Sequence, residues 1–268
     1  MALVSSGPLH MTVLASRKGH ALSDESIKGA RYALEILKEL VTFLPIIRRK
    51  SVSLEPHGKF PLVVNEMISA TKLINDAGFT PLAAVAGAAA DMVADHLLKT
   101  KATKIIVDNG GDIAIRLREE EIARVGLCLN IADRVIGRFV DVDRNCGICT
   151  SGFGGRSFTL GIADGVATVS EKAAIADAAA TRIANKTNVK SEKILREKAE
   201  NIYPDTDIPG KLVTVSVGNL TDLEIMRALF NGRKEAERLI KRQIIYGAAL
   251  SLKDTVMSTG SFQNHVRS

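Results

Sequence analysis

The feature that most constrains the fold is a run of small residues at 82–91, in which six of ten residues are alanine. Alanine has the highest intrinsic helix propensity, and its small side chain lets a neighbouring backbone come close. Pro81 stands immediately before the run, where proline is compatible with the start of a helix. We therefore predict a buried helix that continues to Leu98 and packs tightly on a sheet. Close packing alone accounts for most of these alanines.

Hydrophobic periodicity and end signals predict the other elements. The expected helices are 23–44, 64–76, a second alanine-rich segment at 171–184, and a helix followed by a loop within 187–209. Thr221 and Glu224 form a capping-box pattern that opens a long basic helix towards Lys241. The expected strands are short and mostly rich in β-branched residues: 104–108, 112–117, 123–129, 135–142, 157–162, 166–170 and 212–217.

Short strands separated by turns are typical of antiparallel sheets. We therefore predict an α+β fold, in which a largely antiparallel sheet carries packed alanine-rich helices. The chain shows no repeat and no clear boundary, which predicts a single domain over 1–268 with a helical C-terminal extension from about 210. The last dozen residues are polar, and we expect them to be loosely held.

Composition limits the classes of function. The chain is 46% hydrophobic and 25% charged, an ordinary globular mixture with enough length for a core. No apolar run approaches the roughly 20 residues that cross a bilayer, and the first residues lack a signal-peptide pattern. We therefore expect a cytoplasmic protein with no membrane contact. A net charge of +6, no tryptophan and 4% aromatic residues argue against nucleic acid as a partner.

The first motif with possible chemistry is Asp108-Asn109-Gly110-Gly111-Asp112, between two predicted strands. Two glycines at this place are typical of a tight turn, and a hairpin needs nothing more. In a functional interpretation, the missing side chains let a ligand approach the backbone, with Asp108 or Asp112 beside it.

The second motif is a loop that runs from Asn145 to Ser157 and contains two of the three cysteines. The odd number of cysteines argues against a disulfide framework, and four zinc ligands are not available nearby. One interpretation is a phosphate cradle formed by Thr150, Ser151 and Gly152 with help from Arg156.

A second interpretation of this loop rests on its Cys-x-x-Cys pattern. Cys149 would be a thiolate of lowered pKa that acts as the nucleophile, and Cys146 would guard or resolve it. Two inert thiols are the default alternative for such a pattern. Cys128 lies in a predicted strand, and we expect it to be a buried packing residue.

The third motif lies in the second alanine-rich helix. Asp177 and Thr181 stand four residues apart, which places them on one helical face. A carboxylate and a hydroxyl in this arrangement could supply oxygen ligands to Mg²⁺, which usually takes one or two carboxylates plus substrate phosphate. Local capping by Asp177 and simple packing of Thr181 are the alternative.

Taken together and in this order, these segments resemble the ApbE-like family over about residues 80–188. The resemblance is greatest to the branch found in many anaerobic archaea and bacteria, and it implies an α+β fold of the ApbE or T-fold type. The segments that carry it are Pro81-Leu-Ala-Ala-Val-Ala-Gly87, Asp108-Asn-Gly-Gly-Asp112, Cys149-Thr-Ser151 and Ala176-Asp-Ala-Ala-Ala-Thr181.

Classical members of this family are Mg²⁺-dependent flavin transferases, which cleave FAD and attach FMN to a threonine of a target protein. The resemblance implies that Asp177 and Thr181 are the metal-binding pair and that FAD or FMN is the cofactor. It also implies that Gly110 and Gly111 form the family's turn. The active-site loop would be formed by Thr150, Ser151 and Gly152.

The sequence departs from the classical pattern at two places. Ala86-Gly87 replaces a Lys-Gly pair, and the His-containing motif that ends in Pro-x-x-Gly is absent between Gly152 and Asp177. Arg156 also stands where the related branch typically has a histidine. Loss of a lysine and a histidine removes candidate phosphate and acid–base partners, so nucleotide binding is easier to accept than flavin transfer.

The resemblance also implies a sulfur chemistry, because the branch retains a cysteine before Thr-Ser and has been linked to homocysteine formation through a persulfide. Three hypotheses follow. Cys149 takes part in sulfur transfer between a small-molecule or protein donor and acceptor, which is our first choice. Alternatively, the protein binds Mg²⁺ and flavin nucleotide or transfers FMN.

The third hypothesis is a non-catalytic interaction protein whose basic helix docks an acidic partner, although a solvated helix surface is the simpler interpretation. Alanine-rich helices and a sheet edge also make a homo-oligomer plausible. The basic residues concerned are Arg233, Lys234, Arg238, Lys241 and Arg242.

Overall fold

The computed structural model describes residues 1–130 and 135–263. Within these ranges the chain forms thirteen strands and seven α-helices. The strands are β1 (Ala2–Ser6), β2 (Leu9–Arg17), β3 (His20–Ala21), β4 (Lys104–Asp108), β5 (Asp112–Leu117), β6 (Ala123–Asn130), β7 (Val135–Val142), β8 (Cys146–Ser151), β9 (Gly165–Ser170), β10 (Ile194–Lys198), β11 (Leu212–Val217), β12 (Gly247–Leu252) and β13 (Thr255–Gly260).

The helices are α1 (Ser23–Thr42), α2 (Leu44–Ile47), α3 (Leu62–Ile74), α4 (Val85–Leu97), α5 (Ala173–Lys186), α6 (Ala199–Ile202) and α7 (Asp222–Lys241). Short 3₁₀ turns occupy Ser51–Ser53, Pro81–Ala84 and Ser261–Gln263.

The chain groups into two compact units. The first unit contains Met1–Val125, Val140–Cys149 and Val169–Ala178, and the second contains Gly126–Phe139, Thr150–Thr168 and Ala179–Ser268. The boundary between them falls inside β6, β7, β8, β9 and α5. The predicted single domain therefore stays a prediction.

In the first unit an antiparallel sheet runs in the order β1-β2-β4-β5-β8, and β3 pairs with β2. Helices α1 and α4 pack on this sheet, and their buried faces are rich in alanine. The α+β class and the antiparallel sheet are both confirmed.

In the second unit β9 pairs with β12, and β12 pairs with β13 in antiparallel register. Strands β10 and β11 form a separate antiparallel pair with an irregularity between Leu195 and Arg196. The long helix α7 packs on β12 and β13. The segment from about residue 210 thus combines this helix with three strands, and β13 occupies part of the tail that we expected to be loose.

Two predicted elements are wrong. Residues 157–162 form no strand, because their backbone amides donate hydrogen bonds to the end of α5 and the residue after it. Leu160 N donates to Asn185 Oδ1 at 2.9 Å, and Ile162 N donates to Thr187 O at 2.9 Å. The helix expected at the start of 187–209 is replaced by β10, whose backbone groups pair with β11, and the helical part of this range is the short α6.

The first residues of α5 are held against two glycines of the first unit. A Cβ atom added to Gly87 of α4 would lie 2.3 Å from the carbonyl oxygen of Ala173, and one added to Gly147 of β8 would lie 2.2 Å from Ala173 Cα. Ala173 therefore fits between α4 and β8 because both positions that face it, Gly87 and Gly147, lack a side chain. The predicted packing of the alanine-rich run on a sheet is made elsewhere on α4, by its contacts with β4 and β5.

No helix in the described ranges is long and apolar enough to traverse a bilayer.

We expect overpacking to cost about 1–3 kcal/mol of the free energy of unfolding in Gly87→Ala and in Gly147→Ala, so that both variants are less stable than the wild type. For Gly87 this cost opposes the gain in helix propensity from alanine, which is about 1 kcal/mol. Urea denaturation followed by circular dichroism measures the change. Gly58→Ala is the matched control, because its added Cβ meets nothing within 4 Å. Equal stability of all three variants would contradict the close approach.

Candidate functional site

Helix α4 and the start of α5, which both belong to the first unit, exchange carboxylate caps. Asp177 of α5 accepts a hydrogen bond from the amide of Gly87 in the first turn of α4, at 3.0 Å. Asp91 of α4 accepts one from the amide of Ala174 in the first turn of α5, at 2.9 Å. The first amides of a helix have no partner within that helix, and a negative charge is favourable there. The two carboxylates therefore fix α4 and the start of α5 in antiparallel contact.

A buried arginine compensates one of these carboxylates. Arg116 of β5 donates from Nη2 to Asp91 at 2.8 Å and from Nε to Asp95 at 2.6 Å. Asp91 and Arg116 are both almost fully buried. Burial raises the pKa of Asp91, while Arg116 and the amides of the α5 N-terminus oppose that rise. Removing either partner would leave a buried charge without compensation, a costly change.

The Asn109–Asp112 turn is attached to the start of α4. Gly110 and Gly111 have φ values of 72° and 103°, in the left-handed region that favours glycine. Gly111 N donates to Asp108 Oδ1 at 2.8 Å, which closes the turn. Asn109 Nδ2 donates to the carbonyl of Ala86 at 3.2 Å. The turn and the first residues of α4, predicted as separate motifs, thus form one structure.

Cys149 lies on the face of β8 that is directed at α5, next to the end of the Asn109–Asp112 turn. It is paired in register with Asp112 of β5, and its Sγ donates to the carbonyl of Ala173 at 3.2 Å. The side chain is fully buried. Burial raises the pKa of the Cys149 thiol well above its ordinary value, and the carboxylates of Asp112, Asp177 and Asp91 raise it further.

The lowered thiol pKa that we predicted from Cys-x-x-Cys is therefore wrong. Burial also raises the pKa of Cys146, to about 11. Cys146 and Cys149 stand three residues apart on one strand, so their side chains point to opposite faces and their Cα atoms are about 10 Å apart. A disulfide needs Cα atoms within about 7 Å, so Cys146 cannot resolve Cys149 in this fold.

Cys128, which we expected to be buried, is only half-buried, and its Sγ donates to Asn130 O at 3.1 Å.

The structure divides the predicted site residues between the two units. The first unit brings together Asp108, Asn109, Gly110, Gly111, Asp112, Cys149 and Asp177. The second unit contains Thr150, Ser151, Gly152, Arg156 and Thr181. The cofactor and metal roles of this second group stay predictions.

Sequence reasoning missed Asp91 and Arg116. A signal was present for each: Asp91 is a lone carboxylate that follows three alanines in a run predicted to be buried, and Arg116 interrupts a β-branched strand. Charged residues in such positions are almost never buried unless they are paired.

In the first unit Asp177 is the candidate ligand for a cation. Among the residues that the structure describes, no three His, Cys, Asp or Glu side chains lie close enough together to hold a metal ion. Asp177 is 8% exposed, and burial raises its pKa to about 7, although the amides of Gly87 and Ala86 oppose the rise. Asp177 accepts hydrogen bonds from backbone amides, and in the described part of the chain it forms no salt bridge with a lysine or arginine.

Comparisons with known proteins agree with the predicted resemblance. Residues 2–262 match the family model described as "AbpE bacteria". The UPF0280 protein of Methanobrevibacter smithii is 35% identical over 161 residues, which are 58% of this chain and 66% of that protein. The UPF0280 protein of Methanococcoides burtonii is 32% identical over 199 residues, 69% of this chain and 76% of that protein. The match thus spans just under two thirds of the first relative's length.

Among solved structures, the apo form of the flavinyl transferase ApbE from Pseudomonas stutzeri is similar to this chain. The TM-score is 0.57 at 13% sequence identity, over 98% of this chain and 95% of that one. At this identity the likeness concerns the fold, and it confirms the predicted ApbE-like architecture.

The raised pKa of Asp177 predicts a pH-dependent effect of Asp177→Asn. An aspartate whose folded-state pKa is raised stabilises the fold below about pH 4, and this contribution is lost as the pH rises through about 7. Asparagine keeps an oxygen for the Gly87 amide and does not ionise. Between about pH 5 and pH 8 we therefore expect the variant to gain stability relative to the wild type, by roughly 1.4 kcal/mol per unit of pKa shift removed.

Urea denaturation in buffers with EDTA measures this difference, with Asp254→Asn as a control at an exposed aspartate between β12 and β13. A stability difference between Asp177→Asn and the wild type that stays constant over this range would contradict the raised pKa.

Proposed function

The chain belongs to the family described as AbpE bacteria, and on that premise we propose that it binds a flavin nucleotide together with a divalent cation held by Asp177. The observation that carries the proposal is the position of this carboxylate. It is buried at the first turn of α4, where Asn109 also ties the Asn109–Asp112 turn to the carbonyl of Ala86.

The donor chemistry of Asp177 fits a cation that arrives with phosphate. A carboxylate has about four lone-pair positions, and the amides of Gly87 and Ala86 occupy only part of them. Mg²⁺ is usually bound by one or two carboxylates together with substrate phosphates and water. A bound cation would neutralise nucleotide phosphates and would favour the ionised form of Asp177. Thr181, the second predicted ligand, stays a prediction.

The turn offers the nucleotide a surface without side chains. Gly110 is exposed at its tip, and the backbone on either side is fixed by hydrogen bonds to Asp108 and from Asn109. The carboxylate of Asp177 already lies at the first turn of α4. A nucleotide phosphate would therefore approach this turn favourably only with a cation between the two anions. This requirement makes binding of the nucleotide depend on the divalent cation.

The sulfur-transfer hypothesis finds no support in the contacts of Cys149. The thiolate is the nucleophilic form of cysteine, and a fully buried thiol with a raised pKa is almost entirely protonated near neutral pH. Transfer of FMN also lacks support in this unit, because Ala86 stands where classical members have lysine. We therefore limit the proposed function to flavin-nucleotide binding.

Isothermal titration calorimetry with FAD and FMN tests this function, with MgCl₂ and with EDTA in parallel. We expect the wild type to bind FAD in the presence of Mg²⁺ and to lose about tenfold or more in affinity in EDTA, a change of about 1.4 kcal/mol or more. Asp177→Asn should show the same loss with Mg²⁺ present, since it retains the cap to Gly87 without the charge.

Asp141→Asn, the same chemical change at an exposed position, should bind like the wild type. Circular dichroism verifies that each variant is folded. Absence of any FAD or FMN binding with Mg²⁺, or binding that is indifferent to both Mg²⁺ and Asp177, would overturn the proposal.

A further inference from the structure

Helix α7 in the second unit has an apolar stripe on its exposed face. Leu223, Met226 and Phe230 are 58%, 47% and 61% exposed. They stand at positions i, i+3 and i+7, so they lie along one side of the helix. The opposite side is buried and supplies the core contacts of the helix: Ile225, Ala228, Leu229, Ala236 and Leu239. A helix that is apolar on its core side needs no second apolar stripe for folding.

This stripe borders a shallow groove of about 830 Å³ that lies entirely in the second unit. The walls are formed by Met226 and Phe230 of α7, by residues 188–190, by Arg196 of β10 and by Met257 of β13. The apolar stripe continues beyond the groove to Leu223, one turn earlier on the helix. An open groove with an apolar extension suits an elongated ligand better than a compact one, which would be enclosed on most sides.

Asn188, one of the residues that line the groove, is held by three hydrogen bonds. Its Oδ1 accepts from Arg196 Nη2 at 2.7 Å, its Nδ2 donates to Leu160 O at 2.9 Å, and its carbonyl accepts from Asn231 Nδ2 at 2.9 Å. These bonds join β10, α7 and the segment before them. A groove fixed in this way loses little conformational freedom when a ligand binds.

The charge of the groove has a single sign. Among the residues that the structure describes, its lining contains the cations Lys190, Arg196 and Arg227 and no carboxylate. By contrast, part of the basic set that we predicted as a docking surface is paired: Arg233 bonds Glu237 at 2.8 Å and Arg238 bonds Glu235 at 2.7 Å. The groove thus offers an acidic partner three cations, and Arg227 lies about two to three turns nearer the start of α7 than Arg233 and Arg238.

We propose that this groove docks an acidic amphipathic segment of a partner protein, whose apolar side chains cover Met226 and Phe230 while its carboxylates meet Arg227 and Lys190. The charge pattern selects this occupant over a second copy of the chain, since two copies would bring like-charged rims together. The concave shape favours a protein segment over an anionic lipid surface, because a flat bilayer reaches only the rim. The inference is independent of the flavin site.

A fluorescein-labelled helical peptide of leucine and glutamate is the probe, and its counterpart with lysine in place of glutamate is the matched control. Fluorescence anisotropy with the full chain measures binding. We expect the glutamate peptide to bind, with affinity that falls as salt is added, and the lysine peptide to bind at least about tenfold more weakly. Phe230→Ala and Arg227→Glu should each weaken the glutamate peptide by about tenfold or more.

Leu195→Ala and Lys211→Glu are the control variants, because they change an exposed leucine and an exposed lysine that do not line the groove. Both should bind the glutamate peptide like the wild type. Equal binding of the two peptides, or equal loss in groove and control variants, would overturn the proposal. So would dimerisation that Phe230→Ala abolishes in sedimentation velocity, or binding to phosphatidylglycerol vesicles that exceeds binding to the peptide.

Discussion

The exchange of carboxylate caps between α4 and α5 is the interaction on which the first unit depends. Asp177 bonds the amide of Gly87, and Asp91 bonds the amide of Ala174, so each helix satisfies the first turn of the other. The two bonds require the helix backbones to come very close, which explains why Gly87 faces Ala173 and why so many alanines surround them. The alanine-rich composition and the two aspartates are therefore parts of one constraint.

The same constraint shapes the candidate site. The close packing around the caps buries Asp177 and raises its pKa to about 7. A cation bound beside it would favour the ionised carboxylate. Burial likewise raises the pKa of the Cys149 thiol, and the nearby carboxylates raise it further, so that the thiol is kept protonated. One arrangement thus favours cation binding at the aspartate and disfavours nucleophilic chemistry at the cysteine.

Local patterns predicted much of this fold, and tertiary contacts account for what they missed. The Asn109–Asp112 turn and the capping box of Thr221 follow from residues within a few positions of one another, and the structure contains both. The Cys-x-x-Cys pattern predicts a loop pair, but Cys146 and Cys149 both lie on β8, and a strand directs residues three apart to opposite faces. Residues 157–162 have strand-like composition, yet their amides bond the end of α5. The partners of Asp91 and Asp177 are likewise set by packing, and they lie too far away along the chain for a local pattern to predict them.

Amide hydrogen exchange of the isotope-labelled protein by NMR tests the reciprocal caps most directly. Gly87 and Ala174 lie in the first turns of their helices, where no backbone partner is available within the helix. We therefore expect both amides to be protected in the wild type. Asp177→Ala should abolish the protection of Gly87 and largely preserve that of Ala174, and Asp91→Ala should abolish the protection of Ala174. Exchange of Gly87 and Ala174 in the wild type at the rate of exposed loop amides would contradict the account.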